Sequence, residues 1–147
     1  MFMEDLQHLI VAYGGIGLMV VSFVAATILP FSSEAAVYGA LRLGMAPGEV
    51  LLFASVGNCL GVLFNYWIGR WGSESLLHRA MQGRAGRRAI DWSGRYGKWA
   101  LLLSWLPFIG DPLTIIAGIM RVRIVFFIAV ACGTRVLRYG ALLFLPV

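Results

Sequence analysis

Two carboxylates in this chain stand where apolar sequence gives them no obvious solvent. Glu34 ends the segment Leu29-Pro30-Phe31-Ser32-Ser33-Glu34, and Asp111 ends Leu106-Pro107-Phe108-Ile109-Gly110-Asp111. Each acid follows a helix-breaking proline by four residues, and Pro112 adds a second break beside Asp111. In a bilayer, freed carbonyls and a carboxylate are tolerated only where the backbone lines a polar cavity, so each motif reads as a break in a helix around such a cavity. Burial away from water favours the neutral form of a carboxylate, which makes both acids candidate proton carriers. The competing reading is a buried salt bridge that only locks helices together.

The cations that could answer these acids are few. Arg135 lies twelve residues into the apolar stretch 124–145, near its middle, and Arg138 shares its helix face at a spacing of three. Arg138 is shallow enough to snorkel to the far surface, whereas Arg135 is too deep. Arg135 could pair with Glu34 or Asp111, or hold a phosphate, since guanidinium geometry suits either partner. Asn58 and Asn65 carry amides that need partners in lipid. They lie on or beside a ridge of small residues, Gly57, Gly61 and Gly69, whose ordinary role is close helix packing. Arg121, Arg138 and Asn65 are further candidates for headgroup contact.

The surroundings of these residues are those of a membrane. The 147-residue chain is 60% hydrophobic and 13% charged, against about 45–50% and about 25% in an ordinary soluble domain. No charge occurs between Asp5 and Glu34, between Glu49 and Arg70, or between Arg123 and Arg135. Segments 9–29, 50–69 and 124–145 are each long enough to cross a bilayer, and 99–120 is so if Asp111 is ignored. The start, Met-Phe-Met-Glu-Asp, lacks a basic n-region, so a cleaved signal peptide is not expected.

The net charge of +5 does not argue for nucleic acid, because the basic residues are concentrated between hydrophobic blocks. Arg70, Arg79, Arg84, Arg87, Arg88, Arg95 and Lys98 face only Glu74 and Asp91, which places 70–98 on the cytoplasmic side. Part of it could lie in the interface, although Gly83, Gly86 and Gly94 argue against a long continuous helix. Tyr66, Trp67, Trp71, Trp99 and Tyr139 read as interfacial anchors, and Trp105 as a residue shaping the cavity. Cys59 and Cys132 read as packing residues, His8 and His78 are isolated, and no Walker loop, nucleophile elbow or dinucleotide fingerprint occurs. No metal and no cofactor are expected.

Charge also decides how the proline segments run. If 99–120 crossed the membrane, Arg121 and Arg123 would be left outside; a hairpin bent at 107–112 returns them to the cytoplasm. Its legs of about ten residues, about 15 Å of helix, reach only the middle of a core of about 30 Å. In the first copy 9–29 either spans or folds back at the break 30–34. After each motif the halves continue with glycine (Gly39, Gly118), arginine (Arg42, Arg121) and a long apolar helix carrying Ser55-Val56-Gly57-Asn58 or Ala131-Cys132-Gly133-Thr134. The expected fold is an all-α integral membrane domain of two inverted repeats, each a re-entrant hairpin followed by a transmembrane helix. The repeats cover about 9–70 and 99–147, joined by the basic connector 71–98.

These residues resemble the DedA superfamily of membrane proteins, also described by the VTT or SNARE-associated domain, and its small YqaA-like branch in particular. The resemblance is carried by LPFSSEAAVYGALRLG at 29–44, GNCLGVLFNYWIGR at 57–70, RYGKWALLLSWLPFIGDPLTIIAGIMR at 95–121 and GTRVLRYG at 133–140. It implies opposed re-entrant hairpins and movement of lipids between leaflets, such as undecaprenyl phosphate or phospholipids, with coupling to protons or sodium. By position, Glu34 matches the acid of the family's first hairpin and Pro107 the proline of its second. The chain departs from the family near that proline: Ser104 and Gly110 stand where many members carry arginines, leaving Arg135 or Arg121 to supply positive charge.

The expectation is therefore a multi-pass protein of the bacterial plasma membrane that translocates a lipid with an anionic phosphate headgroup. Its site would be lined by Glu34, Asp111, Arg135 and Asn58. The alternative is an ion-coupled exporter of small solutes. An enzyme is not expected, because no activated nucleophile accompanies the acids. A second copy of the chain could be needed to enclose the cavity.

Overall fold

The computed structural model describes residues 2–27, 33–72, 74–104, 106 and 109–144, all in helices and short turns. Pro30, Pro107 and Trp105 fall outside them. The chain divides into two compact units, Met1–Gly61 with Arg135–Val147, and Val62–Thr134.

In the first unit α1 (Phe2–Tyr13) and α2 (Gly15–Thr27) replace the single apolar helix that segment 9–29 is long enough to form. The chain turns at Gly14, whose φ of 58° lies in the left-handed region and whose amide caps α1 on the Ile10 carbonyl at 2.8 Å. With 12 and 13 residues, each helix is about 18–20 Å long, short of a bilayer core of about 30 Å. α1 and α2 lie side by side, and both also contact α3 (Ser33–Arg42).

α4 (Pro47–Trp71) is the longest helix, 25 residues or about 37 Å. It opens on proline, where the missing N–H is not needed, and carries Glu49 in its first turn and Arg70 in its last, matching the helix dipole. Ile10, Leu18, Val21, Val37, Ala40, Val50, Ala54 and Tyr139 form the core of the first unit.

The second unit contains α5 (Glu74–Ala80), α6 (Gly83–Tyr96), a 3-10 segment (Gly97–Leu103) and α7 (Gly110–Ile119). The connector is not one continuous helix: α5 and α6 are separate, and Gly83 (φ 93°) opens α6, which then runs 14 residues through Gly86 and Gly94. Gly86 is spaced for contact, since a Cβ there would strike the Met81 carbonyl, so the glycine is used for close packing. The 3-10 segment and α7 contact each other and α6. The last helix, α8 (Ile124–Phe144), has 21 residues and contains a π-helical turn at Ile128–Cys132.

α4 and α8 are long and apolar enough to cross a membrane. Only 22% of the apolar window of α8 is buried, and Val125, Leu137 and Phe144 are 77%, 74% and 90% exposed. Apolar surface of this extent belongs against lipid rather than water.

The backbone repeats at a spacing of 77 residues. α3 and α7 both start and end 77 residues apart, and so do the first residues of α4 and α8. The turn bonds recur at the same spacing. Leu43 N–H to the Gly39 carbonyl corresponds to Met120 to Ile116, Gly44 to Leu41 corresponds to Arg121 to Gly118, and Met45 to Ala40 corresponds to Val122 to Ala117. Both helices thus end in one cap, with Gly44 (φ 87°) and Arg121 (φ 53°) in the left-handed position.

This register corrects the pairing read from the sequence. Gly39 and Gly118, like Arg42 and Arg121, are 79 residues apart and so are not equivalents, whereas Asn58 and Arg135 each stand twelfth in their helices. The cap also gives a prediction. A non-glycine residue in the left-handed region costs about 1–2 kcal/mol, partly offset by the chain entropy of glycine. Arg121→Gly is expected to stabilise the protein by about 0.5–1 kcal/mol, read as a higher unfolding midpoint in detergent. A lower midpoint would mean that the arginine side chain contributes more than its backbone costs.

Candidate functional site

In the first unit the polar residues gather on one side of α8. Arg135, Arg138 and Tyr139 share a face by helical spacing, while Val136 and Leu137 on the other side are exposed. Arg138 Nε lies 3.7 Å from Glu34 Oε1, their side chains 20% and 39% exposed. The guanidinium also sits 5.4 Å over the ring of Tyr139. Instead of snorkelling away, Arg138 therefore meets the acid of the first proline motif. Glu34 is the second residue of α3, where the N–H groups of the first turn favour a negative charge.

Tyr139 is fully buried, and its hydroxyl accepts a 2.8 Å hydrogen bond from the Asn58 amide. It is not the interfacial anchor that its type suggested. The signal that would have identified it is its position four residues after Arg135, which places it on the charged face of α8. Asn58 is 4% exposed, and its Oδ1, with Ser22 Oγ and Ser55 Oγ, has no hydrogen-bond partner among the described residues. Arg135 is 4% exposed. The first unit thus offers a buried cation, an arginine and glutamate at its edge, and an amide and phenol between helices.

The Asn58–Tyr139 bond can be tested directly. Tyr139→Phe strands a buried amide and is expected to lower stability by about 1–3 kcal/mol, while adding Asn58→Leu recovers most of the loss, since removing both polar partners is nearly neutral. Thermal unfolding of the single and double variants reads this difference.

The second unit holds a parallel but smaller arrangement. Asp111 is the second residue of α7, as Glu34 is of α3. Its carbonyl accepts a 2.6 Å bond from Thr114 Oγ1, which in turn accepts one of 3.3 Å from the Asn65 amide of α4. Asn65 and Thr114 are buried, whereas Asp111 and Pro112 are half-buried. Ser104 and Thr134 hydroxyls lie 3.3 Å apart. Nothing in the sequence paired Ser104 with Thr134; only their positions after folding bring the two hydroxyls together. Tyr66, also read as an anchor, is buried, and its hydroxyl donates to the Val122 carbonyl at 2.6 Å. Trp67, Trp71 and Trp99 are exposed, as interfacial residues are. Arg121 is exposed at the end of α7.

The small-residue ridge of α4 faces different neighbours along its length. A Cβ on Gly57 would strike the Met19 carbonyl, and one on Gly61 would come within 2.5 Å of Ala26 Cβ, both on α2. A Cβ on Gly69 would strike the Ile115 carbonyl of α7, and one on Gly118 of α7 the Tyr66 carbonyl. Backbone-to-backbone approach of this kind is what small residues permit in membrane helix packing.

Comparison with known proteins agrees with this architecture. The VTT domain matches residues 6–145. The inner membrane protein YqaA of Escherichia coli is 38% identical over 124 residues, covering 82% of each chain. An uncharacterised protein of Haemophilus influenzae is 38% identical over 134 residues, 84% of this chain and 82% of its own. Undecaprenyl phosphate transporter A of Staphylococcus aureus is 29% identical over 105 residues, 64% of this chain and 52% of its own. No solved structure matches. With a domain match over nearly its whole length and relatives aligned over most of theirs, the chain belongs to the VTT-domain (DedA) family of membrane proteins, as a YqaA-like member.

Proposed function

We propose that this protein sits in the bacterial inner membrane and moves a lipid with an anionic phosphate headgroup between leaflets. The observation that carries the reading is the Glu34–Arg138 pair at 3.7 Å, partly exposed and next to the buried Arg135. A guanidinium binds carboxylate and phosphate with the same fork of donors, so a headgroup can take the place of Glu34 on Arg138. Protonation of Glu34 releases Arg138 to the phosphate, and its deprotonation reclaims the arginine, which couples headgroup release to a proton. Arg135 adds a second positive charge on the same face, and Asn58 a buried amide able to meet a headgroup oxygen. Asp111, at the matching position of α7, is the corresponding acid of the second unit.

In this reading α4 and α8 span the membrane, and the proline segments are re-entrant hairpins entering from opposite faces. The ten residues of α3 make about 15 Å of helix, half the bilayer core, so Glu34 at its start lies near the midplane. The relative named for undecaprenyl phosphate transport supports a lipid of that class. No bond is made or broken in the step, which needs only charge, a polar path and alternating access.

The test is leaflet exchange of fluorescent polyprenyl phosphate in liposomes containing the purified protein, beside a zwitterionic phospholipid and a trapped small solute. Faster exchange of the polyprenyl phosphate than of the zwitterion is the expected result. Solute flux without lipid movement would overturn the reading in favour of a small-solute exporter.

A further inference from the structure

The basic connector carries a surface that the transport reading does not use. Its surplus of five positive charges over 70–98 equals the net charge of the whole chain, so the rest of the protein is electrically balanced. Three of those five lie on α6, which carries Arg84, Arg87, Arg88 and Arg95 against Asp91. That helix buries Gly86, Ala89 and Ser93 on one face, and Ala89 joins Ala100, Leu113 and Ile116 in a small core. Arg84, Arg88 and Arg95 fall on a single line away from that face, at spacings of four and seven, with Arg87 beside them and Asp91 as the one acid on the line. All four arginines are exposed.

The occupant of this face follows from where the helix is held. α4 ends at Trp71, 74% exposed, and the chain reaches α6 by way of α5; α6 ends at Tyr96, 54% exposed, and the 3-10 segment that follows carries Trp99, 57% exposed. Arg70 lies 5.9 Å over the ring of Trp71, and Lys98 lies 5.5 Å over that of Trp99 and 5.1 Å over that of Phe126. Exposed tryptophans paired with cations at the end of an apolar helix mark the headgroup level of a bilayer. Half-buried Trp92, four residues beyond Arg88, flanks the arginine line.

We infer that α6 is a docking surface for anionic phospholipid headgroups, with Arg84, Arg88 and Arg95 as the phosphate contacts. The surface recruits negatively charged lipid of the cytoplasmic leaflet to the protein. The inference rests on α6 and the aromatic residues beside it, and is independent of what the Glu34–Arg138 pair transports.

The experiment reconstitutes the full chain into phosphatidylcholine vesicles carrying a trace of spin-labelled phosphatidylglycerol or spin-labelled phosphatidylcholine. It compares the relative association of the two labels with the protein by electron paramagnetic resonance. The wild type is expected to prefer phosphatidylglycerol, and the preference to fall with ionic strength. The triple variant R84Q/R88Q/R95Q is expected to lose at least about fivefold of that preference, the effect of one basic side chain at an anionic surface. The triple lysine variant retains it, and Arg42→Gln, far along the chain in α3, leaves it unchanged. An equal preference in wild type and the glutamine variant, or one insensitive to salt, would overturn the inference. So would an absence of preference in the wild type.

Discussion

Gly57→Val is expected to unfold or severely destabilise the protein, at a cost of ~3 kcal/mol or more. The reason is positional. The Cβ that any other residue brings at 57 runs into the Met19 main-chain carbonyl, which cannot rotate aside as a side chain could. α2 must then move off α4, opening the core around Leu18 and Val21 and carrying α3 with it. Gly140→Ala is the matched control: a Cβ there meets nothing within 4 Å, so only helix propensity changes, by about 0.5–1 kcal/mol in the stabilising direction. Unfolding midpoints in detergent check both. A tolerated valine at 57 would mean that the α2–α4 contact is not the close crossing described.

Arg135→Gln is expected to reduce leaflet exchange by about tenfold or more while the unfolding midpoint stays within the range of a neutral substitution. The side chain is 4% exposed at the twelfth residue of a 21-residue helix long and apolar enough to cross a membrane. A cation at that depth costs about 2.5–3.5 kcal/mol even on lenient insertion scales. Removing it therefore relieves a cost as well as removing an interaction, whereas a charged hydrogen bond to a phosphate is worth about 1.5–3 kcal/mol. Arg135→Lys is expected to keep part of the activity, because charge remains although the planar fork does not. A variant that transports normally but unfolds early would assign Arg135 to structure instead.

Which parts of this were legible in the sequence follows from the kind of signal each carried. The long apolar runs gave α4 and α8, because membrane length and the absence of charge are local properties. The proline motifs marked Glu34 and Asp111 as counterparts by spacing alone, and the structure puts each at the second residue of a short helix. The turn at Gly14 escaped because the left-handed glycine lies inside unbroken hydrophobic sequence, with nothing polar to mark it.

The register of the repeat escaped for a related reason. Identical residues recur at a spacing of 79, while the backbone repeats at 77 through caps in which Gly44 and Arg121 are chemically unlike. Tyr66 and Tyr139 were misread because residue type suggests an interface, whereas only the fold brings their hydroxyls to Val122 and Asn58. That Arg138 reaches Glu34 was not legible, because periodicity puts it on the same face as Arg135 and depth alone suggested that it would turn to the surface.

In the proposed transport step Arg138, released from Glu34, takes the phosphate of a lipid headgroup. This step is tested most directly by leaflet exchange of labelled polyprenyl phosphate in liposomes, at two pH values, for wild type, Glu34→Gln, Arg138→Gln and the double variant. Arg138→Gln is expected to lower exchange by about tenfold or more. Glu34→Gln is expected to remove the dependence on pH, and the double variant to be no worse than Arg138→Gln alone, because the two residues act as one unit. Exchange that keeps its rate and pH dependence in both single variants, or losses that simply add in the double, would contradict it.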